Sequence, residues 1–218
     1  MSSIAQKTYT ATTPLKVAFL GLGAMGYPMA GHLQRAGFDV TVYNRNPAKA
    51  QTWVEEFGGR SATNPSLAVQ GADIVLACVG NDDSLREVTY GENGAFQGMK
   101  IDSIFVDHTT TSAEVAKEVA TQAQARGLHF IDAPVSGGQA GAINGVLTVM
   151  CGGEESAFNR AKPVIDTFAR SVVLLGPHGS GQLCKMVNQI CIAGLVQGLA
   201  EAIAFGERTG LDMKQVLD

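Results

Sequence analysis

The chain has 218 residues, of which 45% are hydrophobic and 17% charged, enough for one large globular domain or a domain and a half. A formal charge of −4 with no Lys/Arg-rich tract excludes an intrinsic nucleic-acid binder, and no run reaches the ~18 uninterrupted apolar residues of a membrane span. Residues 1–14 are rich in Ser, Thr and Ala and have no apolar core, so they are expected to be a disordered tail and not a secretory signal. Cys78, Cys151, Cys184 and Cys191 lie apart among apolar neighbours, which suits buried thiols in a reducing, cytoplasmic compartment. His32, His108, His129 and His178 are equally scattered, and no metal site is expected.

Val17 to Leu20 is a short apolar run of the kind that forms a strand buried on both faces. The turn after it runs Gly21, Leu22, Gly23, Ala24, Met25, Gly26, a G-x-G-x-x-G pattern. Met25, Met29 and Leu33 then recur every four residues along one helix face. In this strand–turn–helix setting Gly21 permits the tight turn, Gly23 lets backbone approach a pyrophosphate, and Gly26 lets helix pack on strand. Free N–H groups at the helix start suit phosphate. The plainer alternative is a glycine-rich turn with no ligand.

A second strand, Asp39 to Tyr43, ends in Asn44-Arg45-Asn46-Pro47, where such folds meet the adenosine ribose. An acidic residue there would accept from the 2′-hydroxyl; Asn44 and Arg45 instead suit the 2′-phosphate of NADP, with NAD the alternative. A solvated Arg45 at a helix start is the competing reading. Ala48–Phe57 and Pro65–Gln70 read as helices and Asp73–Val79 as a buried strand, which puts Val79 and Gly80 at the carboxyl edge where ligands bind. Asn81 or Asp82 is positioned to cap the next helix. Ser103–Val106 is a fourth strand; beyond Asp107 to Thr110, Thr111 or Ser112 caps a helix through Arg126. This alternation predicts a Rossmann-like α/β domain over residues 15–178, a doubly wound and mostly parallel sheet.

Strands follow at Leu128–Ile131, Val146–Cys151 and Ser171–Leu175, with a helix over Glu154–Ala169. After the first of them, Ser136, Gly137 and Gly138 present consecutive N–H groups, either an anion nest for a carboxylate or a plain flexible loop. Gly176 to Gly181 is the strongest break and marks a boundary, with residues 179–218 opening a second, helical unit. From Gln182 towards Thr209 the helix is apolar on nearly every face, which requires burial by other elements, in an oligomer or in a chain that continues further. Lys185 is the cation in its first turns, on one face with Gln182, Asn188 and Gln189. Desolvation there would lower its pKa and fit it for proton transfer; alternatively it reaches out to solvent.

Together GLGAMGYPMA (21–30), Asp107–Thr110, DAPVSGGQAGAINGVLTVMCGG (132–153) and GSGQLCKMVNQ (179–189) resemble the β-hydroxyacid dehydrogenases, from Lys16 to the last residue. That family includes 3-hydroxyisobutyrate dehydrogenase, tartronate semialdehyde reductase and glyoxylate/succinic semialdehyde reductase. The resemblance implies a Rossmann-like domain, a long inter-domain helix, an all-helical C-terminal domain and a homodimer or homotetramer. It also implies hydride transfer between NAD(P) and a 3-hydroxy acid or short semialdehyde. By it Lys185 matches the catalytic lysine, and Ser136, Gly137 and Gly138 the substrate-carboxylate loop. Thr110 matches the residue near the nicotinamide, and Val79 and Gly80 the cofactor-contacting loop. Many members carry Asn where this chain has Gln189; Asn188 before it is similar to tartronate semialdehyde reductases. The family continues past residue 218, so the chain resembles a truncated member. 6-Phosphogluconate dehydrogenase is similar through the lysine but has a histidine at the position of Asn188, and imine reductases usually replace the lysine. A non-catalytic NADP-binding module is the alternative reading.

Overall fold

The computed structural model describes residues 4–9 and 15–218. Strands β1 (Lys16–Leu20), β2 (Asp39–Tyr43), β3 (Arg60–Ser61), β4 (Ile74–Ala77), β5 (Ile104–Asp107), β6 (His129–Asp132), β7 (Val135–Ser136), β8 (Leu147–Gly153) and β9 (Ala169–Leu174) form one sheet. Its order is β3-β2-β1-β4-β5-β6-β8-β7, with β9 paired to β8. Pairing is parallel from β3 through to β6, whereas β8 runs antiparallel to β6 and β7. This is the doubly wound, mostly parallel sheet that the alternation predicted.

Successive residues of β1 point to opposite faces and enter different cores. Val17 and Phe19 pack with α1 (Gly26–Arg35), α2 (Pro47–Phe57) and α7 (Glu155–Ile165). Ala18 and Leu20 pack with α3 (Pro65–Ala68), α4 (Asp82–Tyr90) and α5 (Ala113–Gln124). Burial on both faces is why the central strands read as continuous apolar runs. The helix starts are set by side chains: Asn46 accepts from Ala48 N–H, Asn81 from Ser84 N–H and Ser112 from Val115 N–H.

Two sequence expectations need correction, and one element was not foreseen. Of the tail over 1–14, residues 1–3 and 10–14 lie outside the described residues, but residues 4–9 are docked on the domain. Ile4 is buried, Ala5 N–H donates to Ile143 O at 3.0 Å, and Lys7 Nζ donates to Gly145 O at 2.8 Å and Thr167 O at 2.9 Å. Beyond Ser136, where the sequence suggested no element before Val146, the chain winds into a short helix α6 (Gly138–Asn144) closed by Gly145 at φ 65°. Cys191, expected to be buried, is exposed on α8 (Ser180–Arg208).

Only Gly181, Gln182, Lys185 and Gly206 of α8 are buried, and Leu183, Val187, Ile190, Leu195 and Phe205 are each more than half exposed. By length and composition this helix could cross a membrane, which the sequence reading missed because isolated polar residues interrupt the apolar run. Its first turns are nevertheless bound into the domain. A Cβ at Gly181 would stand 2.3 Å from Met150 O, and Gly179 N–H donates to Asp132 Oδ1 at 2.7 Å. The glycines at 176–181 thus turn the chain while holding it against the sheet. α9 (Met213–Leu217) ends the chain.

Candidate active site

The carboxyl ends of β1, β2 and β4 open onto a cavity of about 830 Å³. Gly21, Leu22, Gly23, Asn44, Arg45, Val79 and Gly80 all line it. Each glycine of the turn has a separate geometric reason. Gly21 sits at φ 95°, and a Cβ there would meet Cys78 O at 2.3 Å. At Gly26 a Cβ would stand 2.0 Å from Gly21 O and 2.8 Å from the Phe19 ring. Around Gly23 there is nothing within 4 Å, so its open side faces the space a ligand would take. Ala24 lines a smaller pocket beside it with Gly23, Lys49 and Gln139. Met25 is the residue before α1, and neither it nor Gly26 lines the large cavity. The shape fits a dinucleotide: close packing at two glycines and free approach at the third.

Asn44 is spent locally. Its Oδ1 accepts from Leu22 N–H at 2.9 Å and its Nδ2 donates to Asn46 O at 3.0 Å, bracing the glycine turn on the end of β2. Arg45 and Lys49 supply positive charge at that end of the cavity, and both are exposed. Among the described residues neither makes an ion pair; Glu87 and Glu92 carry the acidic charge of the same lining. Lys49 escaped the sequence reading. Its spacing of four from Arg45, across the Asn46-Pro47 helix start, was the available signal.

Farther along the carboxyl edge the backbone is sewn together by buried polar groups. Asp107 Oδ1 accepts from Thr109 N–H at 3.0 Å, and Thr109 Oγ1 accepts from Val79 N–H at 3.0 Å, fixing the loop that carries Val79 and Gly80. Burial pushes the Asp107 carboxyl up to about 7, with Asp132 and Asp82 adding and Thr109 opposing. His108 Nδ1 carries its proton and donates to Ala133 O at 2.8 Å, since a carbonyl only accepts; burial holds its pKa down at about 4. Asp107 Oδ2, His108 Nε2 and Thr111 Oγ1 are buried without a hydrogen-bond partner among the described residues. Thr110 itself is exposed.

Asp132 caps α8 in a way the sequence did not reveal, since the capping residue lies 47 positions upstream of the first N–H it satisfies. Its two carboxylate oxygens accept from Gly179 N–H at 2.7 Å and Gln182 N–H at 3.1 Å. Gln182 is fully buried, donating to Thr109 O at 2.8 Å while accepting from Thr111 N–H at 3.1 Å. One turn later Lys185 Nζ donates to Val135 O at 2.9 Å, and burial lowers its pKa. Val135 directly precedes Ser136, Gly137 and Gly138, so Lys185 and this loop come together. Gly137 and Gly138 both take positive φ, at 129° and 60°. Asn188 and Gln189 lie beyond Lys185 on α8, joined to each other by an Nδ2–Oε1 bond of 3.3 Å. Among the described residues no cluster of three or more His, Cys, Asp or Glu could hold a metal ion.

Fold and cleft together define an NAD(P)-binding oxidoreductase domain of the Rossmann type. A family model of the NAD-binding domain of 6-phosphogluconate dehydrogenase matches residues 16–176, and one of the NAD-binding region of NADP-dependent 3-hydroxyisobutyrate dehydrogenase matches 179–218. An oxidoreductase of Shewanella frigidimarina is 59% identical over 93% of the chain and 70% of its own length. The 2-hydroxy-3-oxopropionate reductase of Escherichia coli is 35% identical over 93% and 68%. A structure of Mycobacterium tuberculosis 3-hydroxyisobutyrate dehydrogenase with L-serine superposes with a TM-score of 0.85 at 32% identity, covering 92% of this chain and 67% of that one. The chain belongs to the β-hydroxyacid dehydrogenase family, whose members are NAD(P)-dependent oxidoreductases. It spans between 60% and 70% of the length of eight such relatives.

Proposed function

We propose that this chain carries the cofactor domain and reaction centre of an enzyme interconverting a 3-hydroxy acid and a short semialdehyde, with NADP preferred over NAD. The observation that supports it is the buried Lys185 ammonium, held on the carbonyl next to the Ser136–Gly138 loop with its pKa lowered by desolvation. In this reading the backbone of Gly21 to Gly26 receives the pyrophosphate, Val79, Gly80 and Thr110 flank the nicotinamide end, and Arg45 with Lys49 pairs the 2′-phosphate. A bound nicotinamide supplies or accepts the hydride. Lys185 gives a proton to the substrate oxygen on reduction and takes it back on oxidation. Ser136, Gly137 and Gly138 hold the carboxylate, while Asn188 and Gln189 orient the rest of the substrate. The enzyme is a cytoplasmic homodimer or homotetramer whose subunits cover the apolar face of α8.

Lys185→Ala is expected to lower turnover by about a hundredfold or more while NADPH binding persists, since general acid/base groups contribute on that scale. Near-normal turnover would end the role given to Lys185. Arg45→Ala is expected to weaken NADPH about tenfold, the scale of one lost charged hydrogen bond, and leave NADH unchanged. Equal effects on both cofactors would remove the 2′-phosphate argument. A second reading, favoured by the bare face of α8, is that the chain binds the dinucleotide without turning it over. It predicts a shift of NADPH fluorescence and no oxidation with 3-hydroxyisobutyrate, tartronate semialdehyde, glyoxylate or succinic semialdehyde.

A further inference from the structure

Residues 4–9 lie across the far end of α6, the helix into which the Ser136–Gly138 loop runs. This helix has little of its own to hold it in place. It has seven residues, well short of the ~12–15 that an isolated helix needs, and its buried residues are Gly141 and Ala142. Two glycines further weaken its helical preference.

Gly141 O and Ala142 O accept from the N–H groups of Val146 and Gly145 in the turn that closes the helix, and contacts from outside the helix complete the rest of its C-terminal end. Ile143 O accepts from Ala5 N–H at 3.0 Å, and Gly145 O accepts from Lys7 Nζ at 2.8 Å. The same Nζ reaches Thr167 O at 2.9 Å and Asp166 O at 3.3 Å, tying α6 to the turn that follows α7. The third tie is His32, which is fully buried in α1, the helix that follows the glycine turn. Its Nε2 stands 3.0 Å from Ala142 O and 3.1 Å from Ile143 O, and carbonyls only accept, so Nε2 carries the proton. Nδ1 therefore accepts from Tyr9 O–H, at 2.7 Å. A positively charged Nζ and an N–H donor at a helix C-terminus are also favourable to its dipole.

We propose that residues 4–9 are a positioning strap for substrate binding: Lys7 and the Tyr9–His32 pair fix α6, and through it the Ser136–Gly138 loop, against the cofactor helix α1. This rests on the reading of that loop as the carboxylate site. The strap touches neither substrate nor cofactor. Its loss therefore weakens carboxylate binding and leaves dinucleotide binding intact.

The test uses the full chain with Lys7→Met, Tyr9→Phe and Lys7→Arg. Amide hydrogen exchange across residues 138–146 is measured by mass spectrometry, and the dissociation constant of isobutyrate from the NADP⁺ complex by calorimetry. Isobutyrate is a substrate-sized carboxylate that cannot react. Lys7→Met and Tyr9→Phe are expected to speed exchange at 138–146 by about tenfold and weaken isobutyrate several-fold, with NADP⁺ affinity and exchange in α1 and α7 unchanged. Lys7→Arg, which keeps a cationic donor, is expected to restore both. Tyr9→Phe removes one hydroxyl and keeps the result readable if Lys7→Met fails to fold. Gly138→Ala separates the two ideas, because a side chain at φ 60° strains the loop directly. Should Gly138→Ala leave isobutyrate binding unchanged, the carboxylate-site reading fails. Should it weaken binding while Lys7→Met and Tyr9→Phe leave both readouts alone, the strap proposal is overturned.

Discussion

Asp107→Asn is expected to change how stability depends on pH. The Asp107 carboxyl is fully buried, Oδ1 is held by Thr109 N–H, and Oδ2 has no hydrogen-bond partner among the described residues. Burial raises its pKa from 3.8 to about 7, so the folded state retains a proton that the unfolded chain has already lost. A raised acid contributes stability that is complete below the unfolded value and disappears as pH climbs through the folded one. Between pH 3.8 and about 7 wild type should therefore lose stability relative to the variant by up to about 1.4 kcal/mol per pH unit, or on the order of 4 kcal/mol in all. Asparagine keeps the acceptor for Thr109 and cannot ionise. His108 works in the opposite sense in both proteins. Its pKa is lowered to about 4, so its contribution is complete above 6.5 and is lost as pH falls through 4. The difference between the two proteins cancels that effect. Urea denaturation of wild type and Asp107→Asn at half-unit steps from pH 4 to 8 measures it directly. Parallel stability curves would refute the argument, because they would mean Asp107 titrates alike in folded and unfolded chains.

Three further substitutions separate packing from binding. Gln182→Met leaves Thr109 O and Thr111 N–H buried without their partner, at a cost of about 3 kcal/mol or roughly 6–12 °C in Tm. Differential scanning calorimetry reads this, and an unchanged Tm would show that the loop re-pairs elsewhere. Gly26→Ala drives a Cβ to 2.0 Å from Gly21 O and is expected to destabilise the domain by about 2–3 kcal/mol, measured by urea denaturation. Gly23→Ala meets nothing within 4 Å and should change stability by less than about 0.5 kcal/mol, yet weaken NADPH in a fluorescence titration. If both glycine variants affected stability and binding alike, the separate roles assigned to the two positions would be wrong.

What the sequence made legible was local. Val17–Leu20 and Asp73–Val79 announce buried strands because both faces are covered, and the caps at Asn81 and Ser112 follow from side chains beside the N–H groups they satisfy. The glycine turn was readable because strand, turn and helix are contiguous. What escaped depends on partners far away in the chain. Lys7 meets Gly145 across 138 positions, and nothing in a Ser/Thr/Ala-rich composition announces that encounter. Gly138–Asn144 carries two glycines that lower helix propensity and gives no helix signal of its own, and helix forms where Ala5, Lys7 and His32 complete its end. Asn44 was read as a neutral neighbour of the ribose, but the backbone N–H of Leu22, far off in sequence, engages its side chain, leaving Arg45 and Lys49 as the basic groups at that end of the cavity.

The two buried acids bear on the lysine as well. Asp107 and Asp132 are register partners at the ends of β5 and β6, and Asp132 caps the helix that carries Lys185. A lysine paired with a carboxylate has its charged form stabilised and its pKa raised, which would suit it poorly to giving up a proton near neutrality. Here Asp107 Oδ1 accepts from Thr109 N–H while its Oδ2 has no partner among the described residues, and both oxygens of Asp132 accept from N–H groups of Gly179 and Gln182. Among the described residues Lys185 makes no ion pair; its Nζ rests on the carbonyl of Val135, and burial alone sets the direction of its pKa. Asp132 thus frames the start of α8, which brings Lys185 to the carbonyl beside the Ser136–Gly138 loop with no carboxylate paired to it. That separation of the framework acids from Lys185 is what supports the proton-transfer role proposed for it.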